Sequence, residues 1–330
     1  MFKGVKILGT GSYLPEKVVT NSDLEKIVDT NDEWIRTRTG IEERRISRDD
    51  EPTSEIAAKA AEEALKTAGI KAEELDLIIV ATICPDQTFP NTACHVQKRI
   101  GASPTAMCFS MEAACTGFVY ALETAVSMLR CGYHKKALVI GAEEMSKLVD
   151  WEDRSTCVLF GDGAGAMVLE STESTDECAL VASSMHANGN YTDILQMPAG
   201  GTLLPISKAV IDEKKNFLKM EGQAVFKLAV TSMVKACKTV LKEAGLTVDD
   251  LRWLVPHQAN QRIISAVGKG LGIETEKVFV NVNKYANTSS ATVPIALDEI
   301  AKRDLVKGGD YVLTVAFGAG LTWGAALIKW

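Results

Sequence analysis

The stretch AGIKAEELDLIIV at residues 68–80 returns in altered form as AGLTVDDLRWLVP at residues 244–256, 176 positions later. A second match, ALE at 121–123 against ALD at 296–298, has an offset of 175. Either match alone could arise by chance. Two matches at nearly the same offset indicate that the chain contains an internal duplication.

Both halves show the same order of predicted elements. Short apolar runs such as Leu77-Ile78-Ile79-Val80 are typical of strands covered on both faces, and longer amphipathic stretches that end at Gly69 or Gly245 are typical of helices. Strands are predicted at 4–9, 76–82, 105–111, 136–142 and 163–170, then at 179–186, 251–256, 277–283, 310–316 and 322–329. Helices are predicted at 53–69, 91–101 and 115–131, then at 222–245, 258–271 and 289–302.

Each half therefore reads βαβαβαββ, an α/β pattern that predicts mainly parallel sheets between helix layers. We expect the halves to span residues 1–172 and 173–330. Two segments, 10–52 and 187–221, fall outside the repeat and are predicted to cover a site. In such folds a site lies beyond the carboxyl ends of the strands.

Composition excludes several classes of protein. Hydrophobic residues make up 46% of the 330 positions and charged residues 24%, which is ordinary for a globular protein. A net charge of −7 gives no general attraction to nucleic acid or anionic lipid, and neither a signal peptide nor a membrane-spanning run is expected. The eight cysteines include no C-x-x-C pair, which favours reduced thiols in a cytoplasmic protein over disulfides or a zinc site.

Several chemically useful residues follow predicted strands. Cys115, in EAACTGF at 112–118, begins a helix, where the unpaired N–H groups and the helix dipole are expected to favour thiolate. His257 and Asn287 follow strands of the second half, and FGAG at 317–320 follows another. Taken singly, the cysteine could be a small buried hydrophobe, the histidine a satisfied core residue, the asparagine a helix cap and the glycine loop a turn. Because all four features follow the ends of predicted strands, we expect them to form one site.

These motifs resemble those of the β-ketoacyl-[acyl-carrier-protein] synthase III family, condensing enzymes with the thiolase fold. The resemblance runs nearly end to end. It is carried by GTGSYLP at 9–15, TNDEWIRTRTGI at 30–41, the Cys115 motif, FGDGAGA at 160–166, PHQAN at 256–260, NTS at 287–289, and FGAG at 317–320 with TWG at 322–324. It implies two duplicated halves in a five-layer α-β-α-β-α arrangement.

The resemblance implies a catalytic triad of Cys115, His257 and Asn287, with the backbone N–H groups of Cys115 and Ala319 as the oxyanion hole. One histidine with one asparagine fits this branch and its polyketide-synthase relatives, whereas elongating synthases use two histidines. Degradative thiolases carry a second cysteine in the C-terminal glycine loop, which has none here. The family usually has glycine where this chain has Ala319.

The implied reaction joins a short acyl-coenzyme A to malonyl-[acyl-carrier protein] through an acyl-Cys115 intermediate, in a cytoplasmic homodimer without metal or cofactor. Phe160 and Phe89 are expected at the acyl pocket, with Phe89 reaching across the dimer interface as an alternative. The residues expected to bind coenzyme A and pantetheine are Thr30, Trp34, Arg38, Arg154, Gly222 and Asn260, and those expected to dock the carrier protein are Arg262 and Lys269. Two other interpretations remain: an enzyme that primes a polyketide pathway, and a non-catalytic scaffold, against which Cys115 argues.

Overall fold

The structure, a computed structural model, describes residues 3–174 and 178–330. Within them the strands are β1 (Gly4–Tyr13), β2 (Lys17–Thr20), β3 (Glu43–Ile46), β4 (Leu77–Ala81), β5 (Met107–Met111), β6 (Lys136–Glu144), β7 (Asp162–Thr172), β8 (Leu180–Ala187), β9 (Leu195–Gln196), β10 (Lys219–Met220), β11 (Leu251–Pro256), β12 (Tyr311–Gly318) and β13 (Thr322–Lys329). The α-helices are α1 (Asn21–Leu24), α2 (Asp32–Thr39), α3 (Thr53–Ala68), α4 (Thr92–Ile100), α5 (Gly117–Arg130), α6 (Lys208–Asp212), α7 (Gly222–Ala244), α8 (Gln261–Leu271), α9 (Val282–Tyr285) and α10 (Thr292–Lys302).

Two mixed sheets organise the chain. The first has the order β1-β7-β6-β4-β5 and the second the order β8-β13-β12-β11. Only the β6-β4-β5 and β12-β11 pairs are parallel, so the prediction of mainly parallel sheets is wrong. In each half the last strand follows its predecessor with no α-helix between them, and it therefore returns antiparallel. The first strand of each half then pairs antiparallel with that last strand.

The predicted strand at 277–283 is absent from the second sheet. Val278 makes a single parallel bridge to Leu254, and the chain then enters α9. The backbone N–H groups of Asn281 and Val282 donate to the Gln258 side chain at 2.9 and 3.2 Å instead of to a neighbouring strand. A side chain from elsewhere in the fold thus ends what would be the fifth strand.

Helices and sheets alternate in five layers, with an apolar core in each space between them. Helices α3 and α4 cover the outer face of the first sheet, and α7 and α8 cover the outer face of the second. Helices α5 and α10 lie between the two sheets, where Phe118 and Leu297 belong to one continuous buried cluster. The segment 10–52 contributes the end of β1, the β2-β3 pair and two short helices, and the segment 187–221 carries β9, α6 and β10.

The duplication is visible in the backbone of the two central helix starts. A 3₁₀ turn, Ala114–Thr116 in one half and Ser289–Ala291 in the other, leads directly into α5 or α10. Both turns begin with a non-glycine residue of positive φ, 46° at Ala114 and 49° at Ser289, although this region is unfavourable for such residues. The same rare conformation therefore recurs 175 positions apart.

Glycines let a strand of each half pack closely against the first turn of the central helix of the other half. A Cβ on Gly141 of β6 would lie 2.5 Å from the Ser290 carbonyl oxygen, and one on Gly318 of β12 would lie 2.7 Å from the Cys115 backbone nitrogen. Real Cβ atoms do not approach so closely. The two helix starts are therefore held at the boundary between the halves by strands of the opposite half.

Candidate active site

A cavity of about 750 Å³ lies at the carboxyl ends of the parallel strands. Much of its wall is apolar, including Met111, Leu159 and Phe226. Such a volume and lining suit a small molecule or an acyl chain. Seven of the residues predicted from the sequence line it: Cys115, Phe160, Gly222, His257, Asn260, Asn287 and Ala319.

Cys115 lies in the 3₁₀ turn before α5 and is half-buried. Burial raises the pKa of its thiol to about 12, and a hydrogen bond with Ser289 acts in the opposite direction. The prediction that the helix start would favour a thiolate is therefore wrong for the free protein. Removing water from the sulfur disfavours the charged form, and no cation among the residues that the structure describes lowers the pKa in compensation.

His257 follows β11, and its backbone N–H donates to the Val315 carbonyl at 2.7 Å. The residue is only 4% exposed, and burial lowers the pKa of its imidazole to about 3. The ring is therefore neutral over the physiological range. Its Nδ1 lies 2.6 Å from the Thr292 hydroxyl, which leaves Nε2 for the cavity.

Asn287 is held by backbone on both sides. Its N–H donates to the Leu159 carbonyl at 2.9 Å, and its own carbonyl accepts from the Gly161 N–H at 3.1 Å. The side-chain Oδ1 accepts the Ser289 N–H at 2.8 Å. Because the amide oxygen is occupied, the NH₂ group is left to act as a donor toward the cavity.

Sequence reasoning missed a buried carboxyl group close to Cys115. Glu143, at the end of β6, has no exposed surface and accepts hydrogen bonds from the hydroxyls of Thr82 and Ser289, both at 3.1 Å, and from the Ile83 N–H at 3.0 Å. Burial raises its pKa, and the hydrogen bonds from Ser289 and the Ile83 N–H act in the opposite direction without cancelling that rise. A polar residue ending an otherwise apolar strand was the only signal in the sequence.

Thr322 hydrogen-bonds both to the glycine loop at 317–320 and to the segment that contains Cys115. Its hydroxyl lies 3.0 Å from the Ala113 carbonyl and 3.1 Å from the Ala319 carbonyl, and the Thr116 hydroxyl donates to the Thr322 carbonyl at 3.1 Å. The two backbone segments that carry the N–H groups of Cys115 and Ala319 are therefore fixed relative to each other.

The predicted coenzyme A residues divide into two groups. Gly222 and Asn260 line the cavity, whereas Trp34, Arg38 and Arg154 form a separate cluster. In that cluster the guanidinium carbons of Arg38 and Arg154 lie 4.6 and 5.2 Å from the centre of the Trp34 ring. The buried Thr30 hydroxyl has no hydrogen-bond partner within the described residues.

Three further predicted residues lie away from the cavity wall. Phe89 is 81% exposed and does not line the pocket of its own chain, although its neighbours Thr88 and Asn91 do. Arg262 and Lys269 are exposed on α8, which begins directly after Asn260.

Comparison with known proteins identifies the family of the chain. Residues 109–189 match the family described as 3-oxoacyl-[acyl-carrier-protein (ACP)] synthase III, and residues 241–330 match its C-terminal region. A β-ketoacyl-[acyl-carrier-protein] synthase III of Caldanaerobacter subterraneus is 52% identical over 324 residues, covering 98% of this chain and 97% of that protein. The chain belongs to the β-ketoacyl-[acyl-carrier-protein] synthase III family.

Solved structures of this family share the whole fold. The 3-oxoacyl-[acyl-carrier-protein] synthase III of Aquifex aeolicus is 49% identical with a TM-score of 0.90, and the alignment covers 99% of this chain and all of that one. The predicted thiolase-like α/β fold is therefore confirmed. As a synthase III, the protein is an acyltransferase, a condensing enzyme that initiates fatty-acid synthesis.

No helix formed by 3–174 or 178–330 combines the length and hydrophobicity needed to span a bilayer. The same residues contain no group of three or more histidine, cysteine or acidic side chains placed to hold a metal ion.

Proposed function

We propose that this cavity joins a short acyl group from acyl-coenzyme A to malonyl-[acyl-carrier protein] by a decarboxylative Claisen condensation. The observation that carries the proposal is that Cys115 of one half shares a cavity with His257 and Asn287 of the other. A nucleophile, two side chains able to donate hydrogen bonds and an apolar space together match what this reaction needs.

In the first step, Cys115 Sγ attacks the thioester carbonyl carbon and the bond to the coenzyme A sulfur breaks. The thiol proton leaves as the new bond forms, and the departing sulfur takes up a proton, so the step is proton-neutral. The backbone N–H groups of Cys115 and Ala319 would hold the transient oxyanion, a role supported by the Thr322 ties. The high thiol pKa favours deprotonation during attack over a standing thiolate.

In the second step, malonyl-carrier protein loses carbon dioxide, and the released electron pair forms an enolate. His257 Nε2–H and the Asn287 NH₂ would donate to its oxygen. A neutral imidazole and an amide suit this role because neither needs to be charged to donate. The enolate carbon then attacks the acyl group, the bond to Cys115 breaks, and the sulfur regains a proton.

The Trp34 cluster suits the adenine of coenzyme A. A purine sandwiched between Trp34 and Arg154 would need about 7 Å, from two contacts of about 3.5 Å each. The present distance of 5.2 Å requires the Arg154 guanidinium to move outward and give up its 2.9 Å hydrogen bond to the Asp29 carbonyl. Arg38 would then face the phosphates, with Thr30 beside the pantetheine arm.

The exposed Arg262, in the first turn of α8 after the cavity-lining Asn260, and Lys269, in its last turn, would dock the carrier protein. Their positive charges suit an acidic partner. We also propose a cytoplasmic enzyme, supported by eight cysteines that are all free.

A homodimer would explain the exposed Phe89. The edge strand β5 presents partly exposed residues along its length, and Met107 is 48% exposed. Pairing two β5 strands would cover this edge and carry Phe89 toward the cavity of the partner subunit.

Priming of a polyketide pathway is a second candidate. The priming β-ketosynthase of the R1128 polyketide pathway is 34% identical, with a TM-score of 0.91 and alignment over 99% of this chain and 96% of that one. The two candidates share the nucleophile and differ in the acyl group that the cavity accepts.

The experiment is intact-protein mass measurement after incubation with a panel of acyl-coenzyme A thioesters, for the native chain and Cys115→Ala. We expect the mass of one acyl group on the native chain alone, and the most readily loaded acyl group identifies the primer. Acylation of Cys115→Ala, or none on the native chain, would contradict the proposal. Adding malonyl-carrier protein should then remove the acyl mass and release β-ketoacyl-carrier protein.

A further inference from the structure

The side chain of Thr292 contacts the imidazole of His257 directly. Thr292 is the first residue of α10, is 2% exposed, and places its hydroxyl oxygen 2.6 Å from His257 Nδ1. Since the imidazole is neutral, only one of its nitrogens carries hydrogen. The direction of this one hydrogen bond therefore decides whether Nε2 presents a hydrogen or a lone pair to the cavity.

Two observations favour donation from the Thr292 hydroxyl to Nδ1. The distance of 2.6 Å is short for an N–H donor, whose usual separation is about 2.9–3.0 Å, and is nearer to that of a hydroxyl donor. The hydroxyl is also within donating distance of the Ser289 carbonyl at 3.1 Å, but this contact is the longer of the two, and that carbonyl also accepts the backbone N–H of Thr292. We therefore assign the single hydroxyl hydrogen to the shorter contact, with Nδ1.

Building on the proposed function, we propose that Thr292 is a positioning residue, whose hydroxyl donates to His257 Nδ1 and so fixes the tautomer that presents Nε2–H to the cavity. The Asn287 NH₂ is oriented in the same sense, because its Oδ1 is occupied by the Ser289 N–H. Two donors then converge on one oxygen. The opposite tautomer would aim a lone pair at the forming enolate.

A buried threonine can also serve only to start a helix, and the duplication argues against that explanation. The position equivalent to Thr292 in the first half is Gly117, 175 residues earlier, where α5 begins in the same way after a 3₁₀ turn. The fold therefore forms this helix start without a hydroxyl. The hydroxyl occurs in the half that carries His257.

The direct test is the tautomer of the wild-type protein. In protein labelled with ¹⁵N-histidine, the His257 signals are identified by their absence in His257→Asn, and the ring nitrogen shifts report which nitrogen is protonated. We expect hydrogen on Nε2 and none on Nδ1. Hydrogen on Nδ1 would overturn the proposal, and this measurement needs neither substrate nor a Thr292 variant.

Kinetics supply the second test, using Thr292→Val, Thr292→Ser and the helix-surface control Thr239→Val, whose hydroxyl donates only to the Lys235 carbonyl. Losing one oxyanion donor typically costs about 100- to 1000-fold. Because Thr292→Val leaves the imidazole in place, we expect a smaller loss, about 10- to 100-fold, in kcat for carbon dioxide release from malonyl-carrier protein. KM and the rate of self-acylation should change less than about threefold.

Thr292→Ser should restore the rate, and Thr239→Val should not alter it. Unchanged decarboxylation in a folded Thr292→Val protein would overturn the proposal, as would equal losses in self-acylation and decarboxylation. If Thr292→Val does not fold, the wild-type tautomer and Thr292→Ser still decide. A wild-type protein with Nε2–H that releases no carbon dioxide would count against the proposed function and leave the tautomer assignment intact.

Discussion

Gly318 offers the sharpest test of how the second half supports the nucleophile. A Cβ at this position would lie 2.7 Å from the Cys115 nitrogen and 3.2 Å from both the Ala114 Cβ and the Thr116 nitrogen. Ordinary contacts begin at about 3.4 Å, so Gly318→Ala has to push the Cys115 nitrogen away by about 0.7 Å. The opposing atoms are mostly backbone and have no alternative rotamer.

The displacement acts on both stability and rate. Forcing an extra methyl into a packed site costs about 1–3 kcal/mol of unfolding free energy. The Cys115 N–H is also a proposed oxyanion donor, and a misplacement of about 1 Å at a reacting centre costs roughly 100-fold. We therefore expect Gly318→Ala to acylate itself about 30- to 100-fold more slowly than wild type.

The assay is quenched intact-mass kinetics with acetyl-coenzyme A, alongside urea unfolding. Gly308→Ala is the matched control, because a Cβ there meets nothing within 4 Å and its effect on stability should stay within about 0.5 kcal/mol. A Gly318→Ala protein that acylates within threefold of wild type would refute the reasoning. It would show that the Cys115 N–H does not have to be where β12 holds it.

Three further outcomes follow from the buried ionisable groups. Burial lowers the pKa of His257 to about 3, so below about pH 6.5 the unfolded chain binds more protons than the folded chain. The unfolding free energy should therefore fall as the pH drops toward 3, by up to about 1.4 kcal/mol per pH unit. Urea titrations of His257→Asn should lack this component. Burial raises the pKa of Cys115 to about 12, so the rate of its alkylation by iodoacetamide should rise about tenfold per pH unit from pH 7 to 10. A rate that reaches a plateau near pH 7 would contradict this expectation. Glu143→Ala should lower the unfolding free energy measured in urea by at least about 3 kcal/mol, because the buried donors of Thr82, Ile83 and Ser289 lose their acceptor. A loss below about 1 kcal/mol would contradict this structural role of Glu143.

The order of elements could be predicted because it depends on local patterns. Apolar runs located β4 and β11 to within a residue or two, and glycines marked the ends of α3 and α7. The failure at 277–283 has a different origin. The run there has the composition of a strand, but its last N–H groups bind the Gln258 side chain, a contact that no local pattern reveals.

The residues of the candidate site also separate into those that a local motif marks and those whose contacts arise only from packing. Cys115, His257 and Asn287 could be proposed from the sequence because each lies in a recognisable motif after a strand, and the structure brings the three to one cavity. Glu143 and Thr292 lie inside ordinary elements, and their contacts depend on packing between the halves. Comparing Thr292 with Gly117 at the repeat offset would have marked it as a polar residue that the fold does not require. The raised pKa of Cys115 could not be predicted, because burial of one sulfur is a property of the tertiary structure.

The duplication also offers an explanation for a single proposed site at the boundary between the halves. At the repeat offsets, Cys115 corresponds to Ser290 and His257 to Ala81. Ser290 is 1% exposed, and its hydroxyl donates to the Ala81 carbonyl at 2.9 Å, so the two residues bind each other where their counterparts line a cavity. One side of the pseudo-twofold axis is thus closed by a hydrogen bond and the other is open. In the proposed mechanism the first half supplies the sulfur and the second half the hydrogen-bond donors, and this asymmetry would let a duplicated fold build one reaction site instead of two.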